Sequence, residues 1–281
     1  MTMSKNRAIA IIQARMSSSR LPGKVLEPLA GKPMIWHIVQ RARLCTGITD
    51  VVVATSTENT DDPLVHFCEL HDIRCHRGSL QNVLSRYLEI LEVDSYNYFV
   101  RLTGDCPLID PEFIDRQLSA LHVSGGDFVC LDTPLPIFSG QGAQSVRSLK
   151  YIATKSQHPD DFEHVGSRYM AENPEQFKIV GIKVPQSFGN TPWRLMVDQR
   201  ADLEMMRRLY GALWQGEPFS LKDALEWLER HPQVTLQNEG VEDSAINREL
   251  SVRRRAWRNC VDQYFDWNQI ACETSDSSKV S

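Results

Sequence analysis

Three cations and three hydroxyl groups are concentrated in residues 15–24, directly after the first short apolar run of the chain. The cations are Arg15, Arg20 and Lys24, and the hydroxyl groups belong to Ser17, Ser18 and Ser19. Fixed positive charges and hydrogen-bond donors at this density suit a ligand that carries several phosphate groups. A basic surface turn is the alternative, because the Leu-Pro-Gly sequence at residues 21–23 is a common turn signal. The spacing matches neither a Walker loop nor a GxGxxG dinucleotide loop.

Two aspartates each follow an apolar run that predicts a strand. Asp105 comes shortly after residues 98–103, and Asp198 follows residues 195–197. A carboxylate at the end of a strand suits Mg²⁺, which takes oxygen ligands and keeps phosphate oxygens and waters in its shell. Gly104 allows the backbone to come close to a ligand. Each aspartate can instead cap the turn or helix that follows it, and taken alone the residues favour that interpretation.

Two further segments combine charge with a predicted helix. Arg77, Gly78 and Ser79 precede an amphipathic window, and a helix that begins there would offer its amide end to an anion or to a polar base edge. Ser79 as a plain N-cap explains the same pattern equally well. Glu163 and His164 lie in another helical window, where a lone histidine is more often a structural or surface residue than a catalytic base.

The elements that must position these residues alternate between β-rich runs and amphipathic helical windows, which is typical of βαβ units on a mainly parallel sheet. Strands are predicted at residues 8–13, 50–55, 73–76, 98–103, 127–131, 177–184 and 194–197. Helices are predicted at residues 33–44, 80–92, 111–123, 146–155, 161–171, 201–214 and 221–230. In an open α/β sheet ligands lie at the carboxyl ends of the strands, so we expect residues 14–24 and Asp105 at one edge.

Residues 132–144 interrupt this pattern with a segment rich in proline, glycine and serine. They predict a loop or an excursion away from the sheet, and residues 132–175 as a whole predict a lid or a dimerisation element. Apolar Leu135, Ile137 and Phe138 favour a homodimer contact, since exposed apolar clusters often mark interfaces. A loop folded back on its own core is the alternative.

The chain is predicted to divide into a domain at residues 1–236 and a polar extension at residues 237–281. We expect the end of the extension, residues 273–281, to be disordered. The net charge of -5 argues against a general nucleic-acid binder, which needs an excess of cations. The basic cluster at residues 253–255 therefore predicts a solvated or oligomer-facing helix rather than an RNA contact.

The bulk composition points to the cytoplasm. Seven cysteines without a CxxC pair favour reduced thiols in a cytosolic protein. The apolar runs are too short for a signal-peptide core or a membrane span. With 42% apolar and 24% charged residues, the chain has the composition of an ordinary globular domain. These features predict a cytoplasmic protein with neither a nucleic acid nor a membrane as partner.

The sequence Ala-Arg-Met-x-Ser-x-Arg-Leu-Pro-Gly-Lys at residues 14–24 resembles the signature of the cytidylyltransferases of surface-polysaccharide biosynthesis. That family includes the spore coat polysaccharide (SpsF-like) proteins and, more distantly, the CMP-sialic acid and CMP-Kdo synthetases. The resemblance runs in order over residues 8–215 and includes the stretches at residues 52–55, 77–79, 83–87, 101–110 and 196–198. Ser17 stands where the family usually has glycine. Asn82 stands where it commonly has aspartate, a difference that bears on the substrate rather than on the reaction type.

The resemblance implies a three-layer α/β domain of the nucleotide-diphospho-sugar transferase kind, with a mostly parallel central sheet. It also implies a Mg²⁺-dependent cytidylyltransferase that joins CTP to a sugar or sugar acid and releases pyrophosphate, and it favours a homodimer. The metal would be held by Asp105 and Asp198, and Arg15, Lys24 and Asp105 would act in catalysis. The implied nucleotide-binding residues are Ala14, Arg15, Ser18, Arg20, Lys24, Arg77, Ser79 and Asp105. The implied substrate-binding residues are Arg101, Glu163 and His164.

Two rival functions remain open. A glycosyltransferase on the same scaffold would need an Asp-x-Asp metal motif at the strand end, where this chain has Asp105, Cys106 and Pro107. A non-catalytic nucleotide- or sugar-binding protein would be favoured by loss of Lys24 or of both aspartates, and all three residues are present. Whatever the function, we expect Lys24 to be an exposed loop lysine that contributes little to folding stability.

Overall fold

The computed structural model describes residues 7–133, 135–188, 193–236 and 257–270. The strands in these segments are β1 Ala8–Gln13, β2 Pro28–Leu29, β3 Lys32–Pro33, β4 Asp50–Ser56, β5 Cys75–Gly78, β6 Tyr98–Thr103, β7 Phe128–Leu131, β8 Gln141–Ser145, β9 Ile179–Lys183 and β10 Val261–Asp266. The α-helices are α1 Met34–Arg43, α2 Asp62–Leu70, α3 Val83–Val93, α4 Pro111–Ser124, α5 Val146–Lys155, α6 Pro159–His164, α7 Ser167–Glu172, α8 Arg200–Leu213, α9 Leu221–Arg230 and α10 Pro232–Thr235.

Eight strands form one sheet in the order β10-β9-β7-β8-β6-β1-β4-β5, and β2 pairs with β3 in a separate antiparallel ribbon. Within the described residues, β8 runs against its neighbours β6 and β7, while the other strands of the sheet are parallel. The predicted α/β class with a mostly parallel sheet is therefore confirmed. The carboxyl ends of β6, β1, β4 and β5 lie side by side at one edge of the sheet.

Strand β1 lies inside the sheet and is buried on both faces. Ile9 and Ile11 pack in one apolar cluster with Tyr87 of α3. Ile12 belongs to the cluster on the opposite face, together with Ile38 of α1. Burial on both faces explains why the strand is a continuous apolar run rather than an alternating one. Helices therefore cover both faces, and the sheet is the middle of three layers.

Strands β1 and β6 and helices α5 and α9 lie at the residues predicted from the sequence. Local signals are strong in these elements. The Ser145 hydroxyl accepts a hydrogen bond from Ser148 N at 3.1 Å at the start of α5. Ser220 and Asp223 form a reciprocal capping box at the start of α9. Such caps satisfy backbone N–H groups that have no partner within the helix, so each start is fixed locally.

The predicted excursion away from the sheet at residues 132–144 is wrong, because residues 141–144 belong to β8 and the apolar residues before them fold back on the core, which was the alternative interpretation. Its apolar residues are buried in the core of the same chain, namely Leu135, Ile137 and Phe138. The polar composition of β8 concealed the strand. Gln141 is 5% exposed, and its Oε1 accepts a hydrogen bond from Asp110 N at 2.7 Å. A buried glutamine whose carbonyl oxygen is satisfied in this way fits a central strand without an apolar pattern.

Two predicted elements near the carboxyl edge are also corrected. The helix predicted at residues 161–171 is two helices, because Val165 and Gly166 separate them with left-handed φ angles of 54° and 74°. The strand predicted at residues 194–197 does not form, and the segment is irregular. Val197 N donates to Asp105 O at 2.8 Å, in the turn after β6, so this segment contacts a loop instead of extending the sheet.

The helix predicted to begin near Ser79 begins three to four residues later, as α3. Arg77 lies in β5. Asn82 is the N-cap, and its Oδ1 accepts a hydrogen bond from Ser85 N at 2.9 Å. The Ser79 hydroxyl accepts from Asn82 N at 3.0 Å, so Ser79 shapes the connection between strand and helix and does not cap the helix.

Strand β10 lies within the predicted extension at residues 237–281 but belongs to the sheet, where it pairs in parallel with β9. Trp267 follows directly and is 5% exposed. Its ring lies 5.2 to 6.0 Å, between ring centroids, from three phenylalanine rings, those of Phe113, Phe138 and Phe188. This part of the chain therefore contributes to the core as well as to the sheet.

Some predictions concern other parts of the chain. The basic cluster at residues 253–255 and the chain end at residues 273–281 lie outside the described residues. The domain boundary at residue 236 stays a prediction.

Each of the six cysteines in the described segments is a free thiol. None of the helices there combines the length and the apolar composition that crossing a membrane requires.

Trp267→Ala should lower the free energy of unfolding by about 3 to 5 kcal/mol, because it removes a large buried ring from the aromatic cluster. Leu70→Ala is the control, since Leu70 is 68% exposed and should change stability by less than about 0.5 kcal/mol. Equilibrium urea unfolding followed by far-UV circular dichroism measures both. Equal, small effects would show that the segment around β10 is not integral to the folded core.

Candidate active site

Lys24 lies at the centre of the site, with its ammonium group between two carboxylates. Nζ donates to Asp105 Oδ2 and Asp198 Oδ1, each at 2.8 Å, and to the Val197 carbonyl oxygen at 2.7 Å. The residue is 7% exposed, so the expectation of an exposed loop lysine is wrong. Gly23 precedes it with a left-handed φ angle of 75°, a conformation that glycine adopts without strain, and this turn directs the lysine into the protein.

Asp105 and Asp198 come from distant parts of the chain and meet at one ammonium group. Asp105 lies in the turn after β6, and its backbone oxygen accepts from Val197 N at 2.8 Å. Asp198 precedes α8, where Asp202 Oδ2 accepts from the N–H groups of Asp198 and Gln199, each at 2.9 Å. Gln199 is the N-cap of α8, so the alternative role of Asp198 as that cap is wrong.

Arginines complete the surroundings of Asp198, whose side chain is 7% exposed. Arg20 Nη2 lies 2.8 Å from Asp198 Oδ2, and Arg194 Nη2 lies 2.5 Å from the same oxygen. Arg194 Nε also lies 3.3 Å from Asp202 Oδ1. Sequence reasoning did not select Arg194, because its segment was interpreted as a strand. An arginine four residues before a candidate metal ligand is the signal that could have identified it.

Opposite charges keep this cluster ionised. Burial lowers the pKa of the Lys24 ammonium, but the carboxylates of Asp105 and Asp198 outweigh burial and raise that pKa above its ordinary value of 10.5. Burial likewise raises the pKa of the Asp105 carboxyl, but Lys24 outweighs that effect and lowers the pKa below 3.8. Both groups therefore stay charged at neutral pH. The cluster is a fixed arrangement of charges rather than a proton-transfer pair.

The two carboxylates also fit the requirements of a divalent cation. One oxygen of each lies 2.8 Å from a common position, that of Lys24 Nζ. Mg²⁺ takes oxygen ligands and is usually held by one or two carboxylates together with substrate phosphates. In the described segments there is no group of three or more histidine, cysteine or acidic residues that could hold a metal. The donor set therefore suits an ion whose shell is completed by ligand oxygens.

Asp61 anchors the loop at residues 14–24 to the sheet. It is fully buried and accepts hydrogen bonds from Met16 N at 2.7 Å and from Thr55 Oγ1 at 2.9 Å. Ser56 donates both its N–H, at 3.1 Å, and its hydroxyl, at 2.5 Å, to the same carboxylate. Burial raises the pKa of Asp61, but these hydrogen bonds outweigh burial and hold the pKa below 3.8. Sequence reasoning missed this residue, and its signal is a pair of aspartates before a proline, soon after a strand.

Gly104 lets the turn after β6 approach the same loop closely. Its N–H donates to Gln13 O at 2.9 Å. A Cβ on Gly104 would lie 2.8 Å from Ala14 Cβ, closer than real Cβ atoms come. The interpretation of Gly104 as a position of close approach is therefore right, but its neighbour is the first residue of the loop. Any side chain here would push the loop away from the turn that carries Asp105.

Several predicted binding residues lie around this centre. Arg15 Nη2 is 3.6 Å from Glu163 Oε1, and both side chains are exposed. The fold thus brings a predicted phosphate-binding residue next to a predicted substrate-binding residue. His164 follows Glu163 as the last residue of α6. Arg101 Nε donates to Gln13 Oε1 at 3.0 Å, at the end of β1.

Arg77 and Ser18 have protein partners. Arg77 donates from Nε to Ser56 O and from Nη2 to Glu58 O, each at 3.0 Å. It therefore holds the connection after β4 in place. The Ser18 hydroxyl accepts from Leu21 N at 3.4 Å, which stabilises the turn within the loop. Their roles in nucleotide binding, like those of the other residues selected from the sequence, stay predictions.

Lys24→Met should lower the free energy of unfolding by about 3 kcal/mol, because it leaves two carboxylates without their buried cation. Lys150→Met, on the exposed side of α5, is the matched control and should change stability by less than about 0.5 kcal/mol. Urea unfolding of the ligand-free protein at pH 7 measures both. If the two variants are equally stable, the ion pairs of Lys24 contribute nothing to the fold.

Asp61→Asn should lower the free energy of unfolding by about 2 to 3 kcal/mol at pH 7, because the new amide nitrogen cannot accept the hydrogen bonds that the carboxylate accepts. Asp62→Asn is the control, since its side chain is 56% exposed. The folded-state pKa of Asp61 is depressed, so its stabilisation is present above 3.8 and lost as the pH falls further. The free energies of unfolding of wild type and Asp61→Asn should therefore converge in acid. A constant difference between pH 7 and pH 3 would contradict this assignment.

Known proteins are similar to this chain in both sequence and fold. A family model described as cytidylyltransferase matches residues 9–223. The spore coat polysaccharide biosynthesis protein SpsF of Bacillus subtilis (strain 168) is 31% identical over 239 residues, which cover 83% of this chain and 99% of that protein. An 8-amino-3,8-dideoxy-manno-octulosonate cytidylyltransferase of Shewanella piezotolerans is 36% identical over 119 residues, 42% of this chain and 49% of that protein.

A solved structure has the same architecture. The structure of a cytidylyltransferase from Leptospira borgpetersenii serovar Hardjo-bovis (strain JB197) matches with a TM-score of 0.76 at 27% identity, over 84% of this chain and 99% of that chain. The family model spans well over half of the chain and includes the loop, Asp105 and Asp198. The chain belongs to the cytidylyltransferase family, as the resemblance of its loop predicted.

Proposed function

We propose that the protein transfers the cytidylyl group of CTP to a sugar acid and releases pyrophosphate, in a Mg²⁺-dependent reaction. The observation that carries the proposal is the meeting of Lys24, Asp105 and Asp198 at the carboxyl edge of the sheet, where α/β folds bind ligands. Family membership supports nucleotidyl transfer. The name of the Shewanella relative, an octulosonate cytidylyltransferase, supports a sugar acid as the acceptor.

The loop at residues 14–24 supplies the positive charge that a triphosphate requires. Arg15, Arg20 and Lys24 neutralise the phosphate oxygens and the pyrophosphate that leaves. A bound triphosphate offers Lys24 a new anionic partner, so its ammonium group can turn away from the carboxylates. Cations carried on a backbone that is already in place stabilise the developing charge once their side chains have turned to the phosphates, and such electrostatic stabilisation is the main source of rate in phosphoryl transfer.

Asp105 and Asp198 become available as ligands when Lys24 turns to the phosphates. They would hold Mg²⁺, which when bound supplies charge neutralisation at the α-phosphate and lowers the pKa of a coordinated hydroxyl. A hydroxyl of the sugar acid, the anomeric one in this proposal, attacks the α-phosphorus in line. The bond from the α-phosphorus to the bridging oxygen breaks, and the pyrophosphate keeps that electron pair. The attacking hydroxyl group gives its proton to solvent water.

The nucleoside and the acceptor are assigned to opposite sides of the loop. The backbone at Ala14 and the segment around Arg77 contact the base. Ala14 N donates to Ala54 O, and the Arg77 side chain donates to the backbone oxygens of Ser56 and Glu58. Arg101, Glu163 and His164 receive the acceptor. An arginine suits this role because its guanidinium pairs with a carboxylate through two parallel hydrogen bonds.

The rival functions have less support. An Asp-x-Asp motif would place its second carboxylate two residues after Asp105, at Pro107. Cys106 between them is 5% exposed, and burial raises the pKa of its thiol, so the thiol stays neutral and is a poor metal ligand. A non-catalytic binder is disfavoured because Lys24 and both aspartates are positioned together.

A homodimer in the cytoplasm remains part of the proposal. Leu135, Ile137 and Phe138 are buried within one chain, so the contact must use a surface other than the one predicted from these residues. Light scattering at micromolar concentration measures the assembly state. The free thiols of the described cysteines agree with a reducing compartment.

Asp105→Asn should reduce pyrophosphate release by about 100-fold or more, because the change removes both a ligand oxygen and the charge that holds the cation. Asp72→Asn, at an exposed position with a left-handed φ angle of 50°, is the matched control and should keep wild-type activity. A chelator should abolish release, and added Mg²⁺ should restore it. Undiminished turnover of a folded Asp105→Asn protein would refute the metal assignment.

The substrates are tested by pyrophosphate release from each of the four nucleoside triphosphates. The acceptor panel contains 3-deoxy-manno-octulosonate, its 8-amino-3,8-dideoxy analogue, other sugar acids and neutral hexoses. We expect release with CTP and a sugar acid only. Faster release with another nucleotide, or with a neutral hexose, would contradict the proposed substrate pair.

A further inference from the structure

Arg86 is a buried arginine without an ion-pair partner in the described part of the chain. It lies on α3 and is 2% exposed. Nη1 donates to Ala54 O at 3.2 Å. Nε is buried as well and has no hydrogen-bond partner among the described residues. The side chain therefore keeps a full positive charge in the interior with little local compensation.

This arrangement costs the free protein stability. Burial lowers the pKa of the Arg86 guanidinium, and the positive charge of Arg15 adds to that effect. Tyr87, Asp61 and Glu89 act in the opposite direction, but burial outweighs them. Burying a cation without a bonded carboxylate is unfavourable, because the lost hydration is not replaced. A stabilising role in the free protein therefore explains Arg86 poorly.

The position of Arg86 links it to the loop at residues 14–24. The Ala54 carbonyl oxygen, which accepts from Arg86, also accepts from Ala14 N at 3.1 Å. One carbonyl group thus lies between the buried charge and the first residue of the loop. Gly78 in β5 makes room for the side chain, since a Cβ there would lie 2.5 Å from Arg86 Cγ.

We propose that Arg86 is a positioning residue whose buried positive charge favours binding of the polyphosphate part of CTP to the loop at residues 14–24. The same charge lowers the stability of the free protein. The inference rests on the proposed function, in which this loop binds the triphosphate. Arg86 does not touch the ligand in this view. It holds Ala14 through the shared carbonyl group and adds a positive potential that an arriving anion neutralises.

The contribution of Arg86 to nucleotide affinity should depend on the charge of the ligand. Water screens a charge strongly at the surface, but a charge in the protein interior acts through a lower dielectric constant and reaches further. A triphosphate should therefore gain more from Arg86 than a monophosphate. A residue that merely supported the loop would affect all cytidine nucleotides alike.

The test is isothermal titration of CTP, CDP and CMP, with Mg²⁺ and no acceptor, into wild type, Arg86→Met and Arg86→Lys. Methionine keeps most of the side-chain length without the charge, and lysine keeps the charge. For Arg86→Met we expect the Kd for CTP to rise about 10- to 30-fold, because the positive potential of the buried charge is lost, with smaller rises for CDP and CMP. Arg86→Lys should stay within about threefold of wild type for CTP, because it keeps the charge. Arg43→Met, at an exposed position on α1, is the control and should bind as wild type does.

Thermal unfolding of the ligand-free proteins completes the test. The midpoint of Arg86→Met should equal or exceed that of wild type, because the uncompensated charge is gone. The inference is overturned if Arg86→Met binds CTP as tightly as wild type, or if its Kd values for CTP and CMP rise by the same factor. It is also overturned if Arg86→Met is unfolded or has a lower unfolding midpoint than wild type. A wild-type protein that binds none of the three nucleotides would refute the proposed function and this inference together, whereas normal wild-type binding with an unaltered Met variant refutes the inference alone.

Discussion

The contacts of one ammonium group with two carboxylates are the constraint on which the site depends. Lys24 is 81 positions from Asp105 and 174 positions from Asp198 along the chain, yet its Nζ lies 2.8 Å from an oxygen of each. The loop, the turn after β6 and the segment before α8 must therefore come together before the site exists. Because the ammonium group is buried, the three segments cannot separate without leaving charges unpaired. The charges that suit a phosphate ligand are thus the same charges that assemble the site.

The rest of the fold keeps this cluster rigid. Asp61 ties the loop to the end of β4 through Met16, Thr55 and Ser56. Gly104 brings the turn after β6 against the loop from the other side. Arg86 of α3 donates to the Ala54 carbonyl oxygen, which also accepts from Ala14 N at the start of the loop. The backbone of the site is therefore fixed from several elements before the ligand arrives, so that binding needs only side chains such as Lys24 to reorient.

The sequence predicted what is local and missed what depends on contacts across the fold. β1 and β6 were predicted from their β-rich runs, and α5 and α9 from their helical pattern, because these signals lie in consecutive residues. The loop motif pointed to Lys24, and the ends of predicted strands together with the family resemblance pointed to Asp105 and Asp198, but the sequence did not predict that the three side chains touch. Asp61 was missed because one of its partners is the distant backbone N–H of Met16. Arg194 was missed because its segment was interpreted as a strand, although its partner Asp198 lies only four residues away. Strand β8 was missed because the polar side chains of Gln141 and Gln144 find their partners, Asp110 N and the Ser148 hydroxyl, only in the folded protein.

The place of β10 at the edge of the sheet has a consequence for biosynthesis. β9 pairs with β10 on one side, and β10 is the last described strand to be made. Between the end of β9 and the start of β10 the ribosome adds about 80 residues, which takes on the order of 4 to 16 s at 5 to 20 residues per second. During that time one row of backbone N–H and C=O groups on β9 has no strand to pair with, and such an edge can join a strand of a neighbouring nascent chain. Closely spaced ribosomes on one messenger RNA would therefore favour aggregation of this chain before release, and slower initiation or chaperone cover of β9 would suppress it.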